Sequence, residues 1–403
     1  MGTPISATVV YNDGQTRDFP DVSAALALAR EGRVELHYAY DPSLLPAPGT
    51  PRFDLWRYRP LLPLGDGPIH YPLSVGGTPL VASPALRERL GLPQLWLKDE
   101  TRGPTGSNKD RASALVLELA LRERRDTVSC ASTGNVAVSL AVGAAAAGRR
   151  AVIFVPAQVS PSNLTLMLLA GATVVKVRAG YKAAFRLSEE AAERFGWFSR
   201  NTGVNPVTLE AKKTVAFEVW EQLNRDLPDV VVAPVGDGVT LAALAKGFRE
   251  LIACGVTARL PRIIGVQAEG SAPIARAWAT DRPLEAIEPN TLADGIAVGA
   301  PVSAGEVLRD VRASGGGMVT VSDETLLDWI GILAREAGLL AEPAGVAGTA
   351  GVAAALEQGL LDRSERVVAL VSGTLLKNLQ FARPTRKPIE VEGELGELER
   401  ALG

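Results

Sequence analysis

The feature that most constrains this chain is a repeated alternation of two kinds of segment. From about Gly76 onward, short apolar runs take turns with Ala/Leu-rich amphipathic stretches. The runs are Leu95–Lys98, Thr127–Ala131, Ala151–Pro156, Thr173–Arg178, Val230–Val235, Ile263–Gln267 and Val367–Val371. Between them lie the helix-like stretches Lys109–Arg125, Val136–Gly148, Asn163–Gly171, Lys182–Gly196, Glu210–Asn224, Thr240–Gly255, Thr325–Gly338 and Ala344–Gly359. Ser322 is placed to cap the helix that follows it, with Asp323 and Glu324 at that helix's positive end. A strand that is apolar throughout has to be covered on both faces. The pattern therefore predicts an α/β fold built on parallel sheets.

The first 50 residues read as a small separate α+β unit. Ala7–Asn12 alternates like a strand, Asp13-Gly14 is a hairpin signal, and Thr16–Phe19 is the returning strand. Ser23 is a candidate cap for a helix Ala24–Glu31, and Val34–Tyr40 alternates again. Pro42 to Pro51 reads as a linker. Phe53 to Pro63, with Trp56 and Tyr58, is expected to pack on the main body, and the charged tail after Pro388 to lie at the periphery.

Composition narrows the chemistry. At roughly 150 residues per domain, 403 residues suggest two to three domains. With 42 Lys+Arg against 45 Asp+Glu, the net charge of −3 argues against nucleic acid and anionic membranes as partners. The 2 cysteines, Cys130 and Cys254, form no CxxC, so a disulfide framework and a zinc ribbon are not expected, and a reducing cytoplasm is. Only His37 and His70 exist, and neither has neighbours suited to a Ser-His-Asp triad or a metal-binding helix. Met1-Gly2-Thr3-Pro4 lacks the basic start of a leader, and the apolar stretch Val136 to Gly148 is too short to span a bilayer. The chemistry, then, is expected not to rest on histidine or metal.

In a fold of this kind, ligands sit in loops at the carboxyl ends of strands. Four such loops have unusual composition. Gly103 to Arg111 places Lys109 at the start of a helix, whose dipole disfavours an ammonium and raises the free-amine fraction needed for Schiff-base chemistry. A nucleotide P-loop does not fit, because Asn108 and Asp110 stand where it requires glycine and a hydroxyl residue. Ser132-Thr133-Gly134-Asn135 offers amides and hydroxyls to a carboxylate or phosphate. Gly236-Asp237-Gly238-Val239-Thr240 has the look of a phosphate cradle, although Leu241 stands at the third glycine of a dinucleotide fingerprint. Ser372-Gly373-Thr374 ends a strand with hydroxyls suited to a ring nitrogen.

Together these loops resemble those of pyridoxal-phosphate enzymes of the tryptophan-synthase-β fold, and most closely the threonine synthase family. The family's P-T-G-S-F-K-D-R reads Pro104 to Arg111, its A-S-T-G-N reads Ala131 to Asn135, and its L-E-G-Q-K-T-x-A-F-E reads Leu209 to Glu218. Its E-P-A-S-A-A reads Glu342 to Ala347, with Trp56-Arg57-Tyr58-Arg59 and Gly76 to Leu80 as earlier landmarks. The resemblance spans about residues 53–380, with the motifs in the family's order. It implies two parallel-sheet domains: a large cofactor-binding domain of residues 51–124 and 206–385 and a smaller mobile domain of residues 125–205. Residues 1–50 would be an extension and 386–403 a tail. It implies pyridoxal 5'-phosphate as cofactor, a small amino acid as substrate, and a homodimer.

Carried over residue by residue, Lys109 would bear the cofactor and shuttle the Cα proton, and Asn135 would bind the cofactor's phenolic oxygen. Gly236, Asp237, Gly238, Val239 and Thr240 would bind its phosphate, and Ser372 would contact its ring nitrogen. Ser132, Thr133 and Gly134 would hold the substrate carboxylate, with Thr105, Ser107, Asn108 and Thr208 also facing the substrate. The implied reaction is that of a carbon-oxygen lyase, O-phosphohomoserine plus water giving threonine plus phosphate.

Departures from the family bear on the substrate. Where the family reads S-V-N-P-x-R-L-E, this chain reads Gly203-Val204-Asn205-Pro206-Val207-Thr208-Leu209-Glu210. The phosphate-gripping arginine is thus Thr208, the serine is Gly203, and the phenylalanine before the lysine is Asn108. Each charged hydrogen bond lost is worth roughly 1.5–3 kcal/mol, which predicts an altered side-chain pocket unless Lys212, Arg102 or Lys182 substitutes. Cysteate-synthase-like replacement and serine/threonine-dehydratase-like deamination are the alternatives within this chemistry. A non-catalytic binding protein or a dinucleotide oxidoreductase would be alternatives outside it.

Overall fold

The computed structural model describes residues 3–402 apart from Asn12 and Arg30. Thirteen strands occur among them: β1 Ser6–Val10, β2 Thr16–Phe19, β3 Arg33–His37, β4 Leu80–Val81, β5 Leu95–Asp99, β6 Thr127–Ala131, β7 Arg150–Pro156, β8 Thr173–Val177, β9 Phe198–Ser199, β10 Val230–Pro234, β11 Arg262–Ala268, β12 Gly317–Val321 and β13 Val367–Val371. They form three sheets, ordered β2-β1-β3, β12-β11-β10-β13-β5-β4 and β8-β7-β6-β9. The first sheet is antiparallel, while the other two are parallel except at the β4–β5 pair. Every residue of β6, β10 and β13 is buried, as expected of strands covered by helices on both faces.

The order of the six-stranded sheet positions the site. β10, β13 and β5 are neighbours, so the loops that follow them lie side by side at their carboxyl ends. The chain leaves this sheet after β5, builds the four-stranded sheet from residues 127–199, and returns at β10. The loop after β6 comes from that second sheet, and its Asn135 donates to Glu342 of the larger sheet's unit at 2.6 Å.

The N-terminal sheet has its own strands but shares its core. Ala7, Val9, Val34, Leu36 and Tyr38 pack in one cluster with Phe217, Trp220, Phe248, Leu251 and Val368 of the main body. Buried charge fastens it further. Burial alone would raise the Glu35 carboxyl, but the Arg249 and Arg309 guanidiniums, at 2.9 and 2.6 Å, hold it down at about 2. The expected linker is not featureless: Pro42–Leu44 is a helical turn, and Leu45 joins the same core.

Other differences from the sequence reading are local. The first helix is Val22–Leu26, and its cap is Asp21, whose Oδ1 accepts from the Ser23 amide at 2.9 Å. The cap at Ser322 forms as expected, its hydroxyl accepting from Thr325 N at 3.1 Å. Glu210–Asn224 is two helices, Val207–Lys212 and Thr214–Gln222, joined at Lys213. β12 and the helices Pro84–Leu90, Pro273–Thr280 and Ala304–Ala313 are additional elements. Asn12, expected at a strand end, Arg30, expected in a helix, and the Met1-Gly2 start lie outside the described residues. Among the described residues, no helix is long and apolar enough to cross a membrane.

Candidate active site

The lysine loop is stitched to its neighbour strand by backbone. Asn108 N donates to Ser372 O at 3.0 Å and Thr374 N to Gly106 O at 2.8 Å, so Lys109 begins its helix, Lys109–Arg122, beside the end of β13. Two residues on, Arg111 is buried and fully engaged. It donates to Glu100 at 2.7 Å and to Glu218 at 2.6 and 2.8 Å, and Lys98 donates to Glu218 at 2.7 Å. This network fixes the first turn of the helix and with it the lysine.

Lys109 Nζ donates to Asn108 Oδ1 at 3.1 Å. Its pKa is lowered, as the sequence suggested, but the leading cause is burial, with the nearby Arg200 charge adding to it and Asp237 and Glu342 opposing it. The helix terminus is therefore not the main cause. Asn108 is itself buried and passes the connection on, its Nδ2 donating to Thr240 Oγ1 at 3.3 Å. Asn108 thus lies between the lysine and the loop after β10, rather than facing open space.

That loop is shaped by its glycines. A Cβ on Gly236 would lie 2.9 Å from Ile296 Cα, and Gly238 has φ +91° with Ser303 O only 2.9 Å from where a Cβ would stand. Asp237 turns its carboxylate inward along the chain, accepting from Val239 N at 3.0 Å. One amide expected to serve a phosphate is therefore met by the loop's own side chain. Around Asp237, four cations lie within electrostatic reach: Arg33, Lys109, Arg200 and Lys212.

The remaining candidate residues fall into place around this centre. Ser132, Thr133, Gly134 and Asn135 are partly exposed at the head of the helix Asn135–Ala146. Thr133 O accepts from Asn163 Nδ2 at 3.1 Å, and Ser132 Oγ from Gly134 N at 3.3 Å. Asn135, Asn163, Asp294, Glu342 and Asn378 line a cavity. Burial raises the Glu342 carboxyl, which accepts from Asn135 at 2.6 Å and Asn378 at 2.7 Å. Ser372 Oγ donates to Ala344 O at 3.3 Å. Thr105 clasps Asp110 through both its amide and its hydroxyl, so its hydroxyl proton is committed within the loop. Ser107 Oγ is buried without a hydrogen bond.

Thr208 stands apart from that cavity. It lines a second, narrower pocket with Arg33, Gly203, Val239 and Ser303. Of the three cations named as substitutes for the missing arginine, Arg102 is exposed and held by Asp99 at 2.9 Å, and Lys182 is exposed. Lys212 is 1% exposed, and its Nζ has no hydrogen bond. Burial, helped by the Lys109 charge, pushes its amine down to about 7. Arg33, Arg200 and Glu342 were not singled out from the sequence, although Glu342 opens a motif that was.

These residues suit pyridoxal phosphate. A desolvated lysine amine is free to react, a glycine loop offers a close backbone approach, and the surplus of cations around Asp237 suits a phosphate dianion. The comparisons agree. The sequence model of the family "Pyridoxal-phosphate dependent enzyme" matches residues 71–373. Threonine synthase of Methanocaldococcus jannaschii is 36% identical over 86% of this chain and 87% of its own length. That of Mycobacterium leprae is 34% identical over 83% and 92%. Among solved structures, a threonine deaminase from T.th. superposes with a TM-score of 0.61 at 26% identity, over 77% of this chain and 94% of that one. A fungal L-serine ammonia-lyase from Rhizomucor miehei gives a TM-score of 0.64 at 22% identity over 74% and 93%, a likeness of fold. The chain is thus a pyridoxal-phosphate dependent enzyme of the lyase and synthase kind, and it belongs to the threonine synthase family.

Proposed function

We propose that this enzyme acts on a small amino acid, with Lys109 as its catalytic residue and a side-chain pocket rebuilt relative to its relatives. When bound, pyridoxal phosphate supplies an aldehyde for an amine and an electron sink for the charge left at Cα. Lys109 Nζ would hold the cofactor through its aldehyde and, as a free amine, would take the proton from the substrate's Cα. Its lowered pKa keeps part of it as the free base that this step requires. Ser132, Thr133 and Gly134, at a helix head, hold the substrate carboxylate and set the Cα–H towards that amine. Gly236 to Thr240 hold the phosphate, with Asn108 joining Thr240 to the lysine. Asn135, fixed by Glu342, and Ser372, held by Ala344 O, would offer the cofactor's ring its polar partners. A group then leaves from Cβ or Cγ, and water or another nucleophile adds.

The observation that carries this reading is Lys109 itself: desolvated, and set where the loops after β5, β10 and β13 meet. A second reading, elimination with no added nucleophile, is supported by the fold shared with a threonine deaminase. The smaller unit of residues 125–205 is proposed to move against the lysine during turnover, and the enzyme to work as a homodimer in the cytoplasm. A panel of serine, threonine, phosphoserine, phosphohomoserine and acetylated analogues, scored for keto acid, ammonia, phosphate and new amino acid, tests the assignment. Turnover of at least one compound, abolished in K109A, is expected. Absence of any turnover by cofactor-loaded enzyme overturns the catalytic reading, and a large loss of phosphohomoserine affinity in T208A overturns the rebuilt pocket.

A further inference from the structure

The cavity that holds Thr208 has a cation on its opposite wall. Arg33 begins β3, the last strand of the N-terminal sheet, and lines this cavity together with Gly203 and Thr208. These two are the positions at which the family's serine and arginine are missing. Arg33 Nε and Nη1 are buried and make no hydrogen bond. Nη1 lies 3.0 Å from where a Cβ on Gly203 would stand, so this guanidinium fills the space that a serine there would enter.

The position is held, not incidental. Glu35, two residues on and so on the same face of β3, is clamped by Arg249 and Arg309. Tyr38 donates to Glu210 at 2.8 Å, which anchors the end of the strand to the helix Val207–Lys212 that carries Thr208.

Two further cations with an unpaired nitrogen share Asp237 with Arg33 as an electrostatic neighbour. Lys212 follows Thr208 by four residues and therefore shares its helix face. Arg200 is fully buried, and its Nη2 lacks a partner. The acids that face Arg33 are Glu306 and Asp237, and burial pushes Glu306 up to about 8, so that it is largely neutral near neutral pH. Two buried guanidinium nitrogens without a partner are costly unless a ligand completes them, and their forked donors match phosphate, sulfonate or carboxylate.

We infer that Arg33, supplied by the N-terminal sheet, is a specificity-determining residue that grips an anionic group at the end of the substrate's side chain. It takes over from the opposite wall what an arginine at position 208 would do. Lys212 and Arg200 add positive potential without needing to touch the group. The inference rests on Lys109 bearing the cofactor, since that fixes the end of the site at which Cα lies.

The test uses the holoenzyme and its visible absorbance. Titration with O-phosphoserine, O-phosphohomoserine, cysteate, aspartate and glutamate, each against a neutral isostere such as serine, homoserine, asparagine or glutamine, gives a Kd for each compound. In the wild type, at least one anion-ended amino acid is expected to bind about tenfold or more tighter than its isostere. Whichever member does so identifies the anion. R33Q is expected to bring that ratio near one with the neutral compounds unchanged, and R33Q with T208R to restore it. If R33Q takes up no cofactor, R33K carries the test, with an expected severalfold fall. An unchanged ratio in the Arg33 variant overturns the inference, as does a coloured wild type with no preference for an anion. A wild type that stays colourless with cofactor overturns the Lys109 reading and this inference together.

Discussion

Two neighbouring lysines divide the interior of this protein. Lys213 is fully buried and paired, at 2.5 Å to Glu210 and 2.8 Å to Glu250. Lys212, one residue earlier and equally buried, has no hydrogen bond. The same division runs through the whole site. Arg111, Lys98, Glu100 and Glu218 form a closed network in which each charge meets its opposite. Arg33, Arg200 and Lys212 each carry a buried nitrogen with no protein partner. Both regions accept the cost of desolvating charge, but only the first recovers it within the fold. The second stands ready for charge that arrives with cofactor and substrate.

Substitutions on either side of this division are expected to behave differently. The largest effect belongs to K109A, which should lower turnover by about 10²–10⁴-fold or more and abolish the visible absorbance, with a melting temperature near that of the wild type. Turnover assays and borohydride trapping check it, and an adduct mapped to another peptide would remove the centre of the site.

Next comes R111M. It leaves Glu100 buried without a cation and Glu218 with Lys98 alone, so it should destabilise the fold by about 3–5 kcal/mol in a urea titration. A loss below about 1 kcal/mol would erase the contrast between the two regions.

K212M should act with the opposite sign. Its amine sits at about 7 in the fold against an ordinary 10.5. The unfolded chain therefore binds more protons between those values, and the native state loses stability as pH falls through that window, the loss being complete below it. In cofactor-free protein, K212M should thus gain on the wild type as pH drops from about 10.5 to 7, by up to about 5 kcal/mol, and then level off. A difference that does not change with pH would place Lys212 among the paired groups.

The smallest effect is expected at the surface, where Arg186 and Glu190 meet at 2.6 Å with side chains 68% and 55% exposed. R186A should shift stability by less than about 0.5 kcal/mol, which thermal melts can bound. A larger change would mean that pairing alone, without burial, carries weight here.

What the sequence disclosed follows from the range of the forces involved. Continuous Val-rich runs such as Val230–Pro234 must be buried on both faces, so strand positions and sheet type are legible locally. The loops that hold Lys109, Asn135 and Ser372 are legible only jointly, through the family motifs in order, since each alone also fits an ordinary capped helix or turn. β12 escaped notice because Gly315 to Gly317 hide its start, and Glu210–Asn224 looked continuous because the break at Lys213 leaves both flanks helical. Arg33 had no local signal at all. An arginine in a short alternating strand is ordinary, and its meaning lies in the approach of residue 33 to residues 203 and 208, which only the tertiary fold sets.

The strand order β10-β13-β5 has a bearing on how the protein comes into being. Its middle member is the last of the thirteen strands to leave the ribosome, so a nascent chain that has finished β5 and β10 still holds an open slot between them, with two bare edges. Residues 367–371 must enter that slot before Ser372 can meet the Asn108 amide beside Lys109. The lysine is thereby not joined to its neighbouring loops until all the other strands of that sheet have been made.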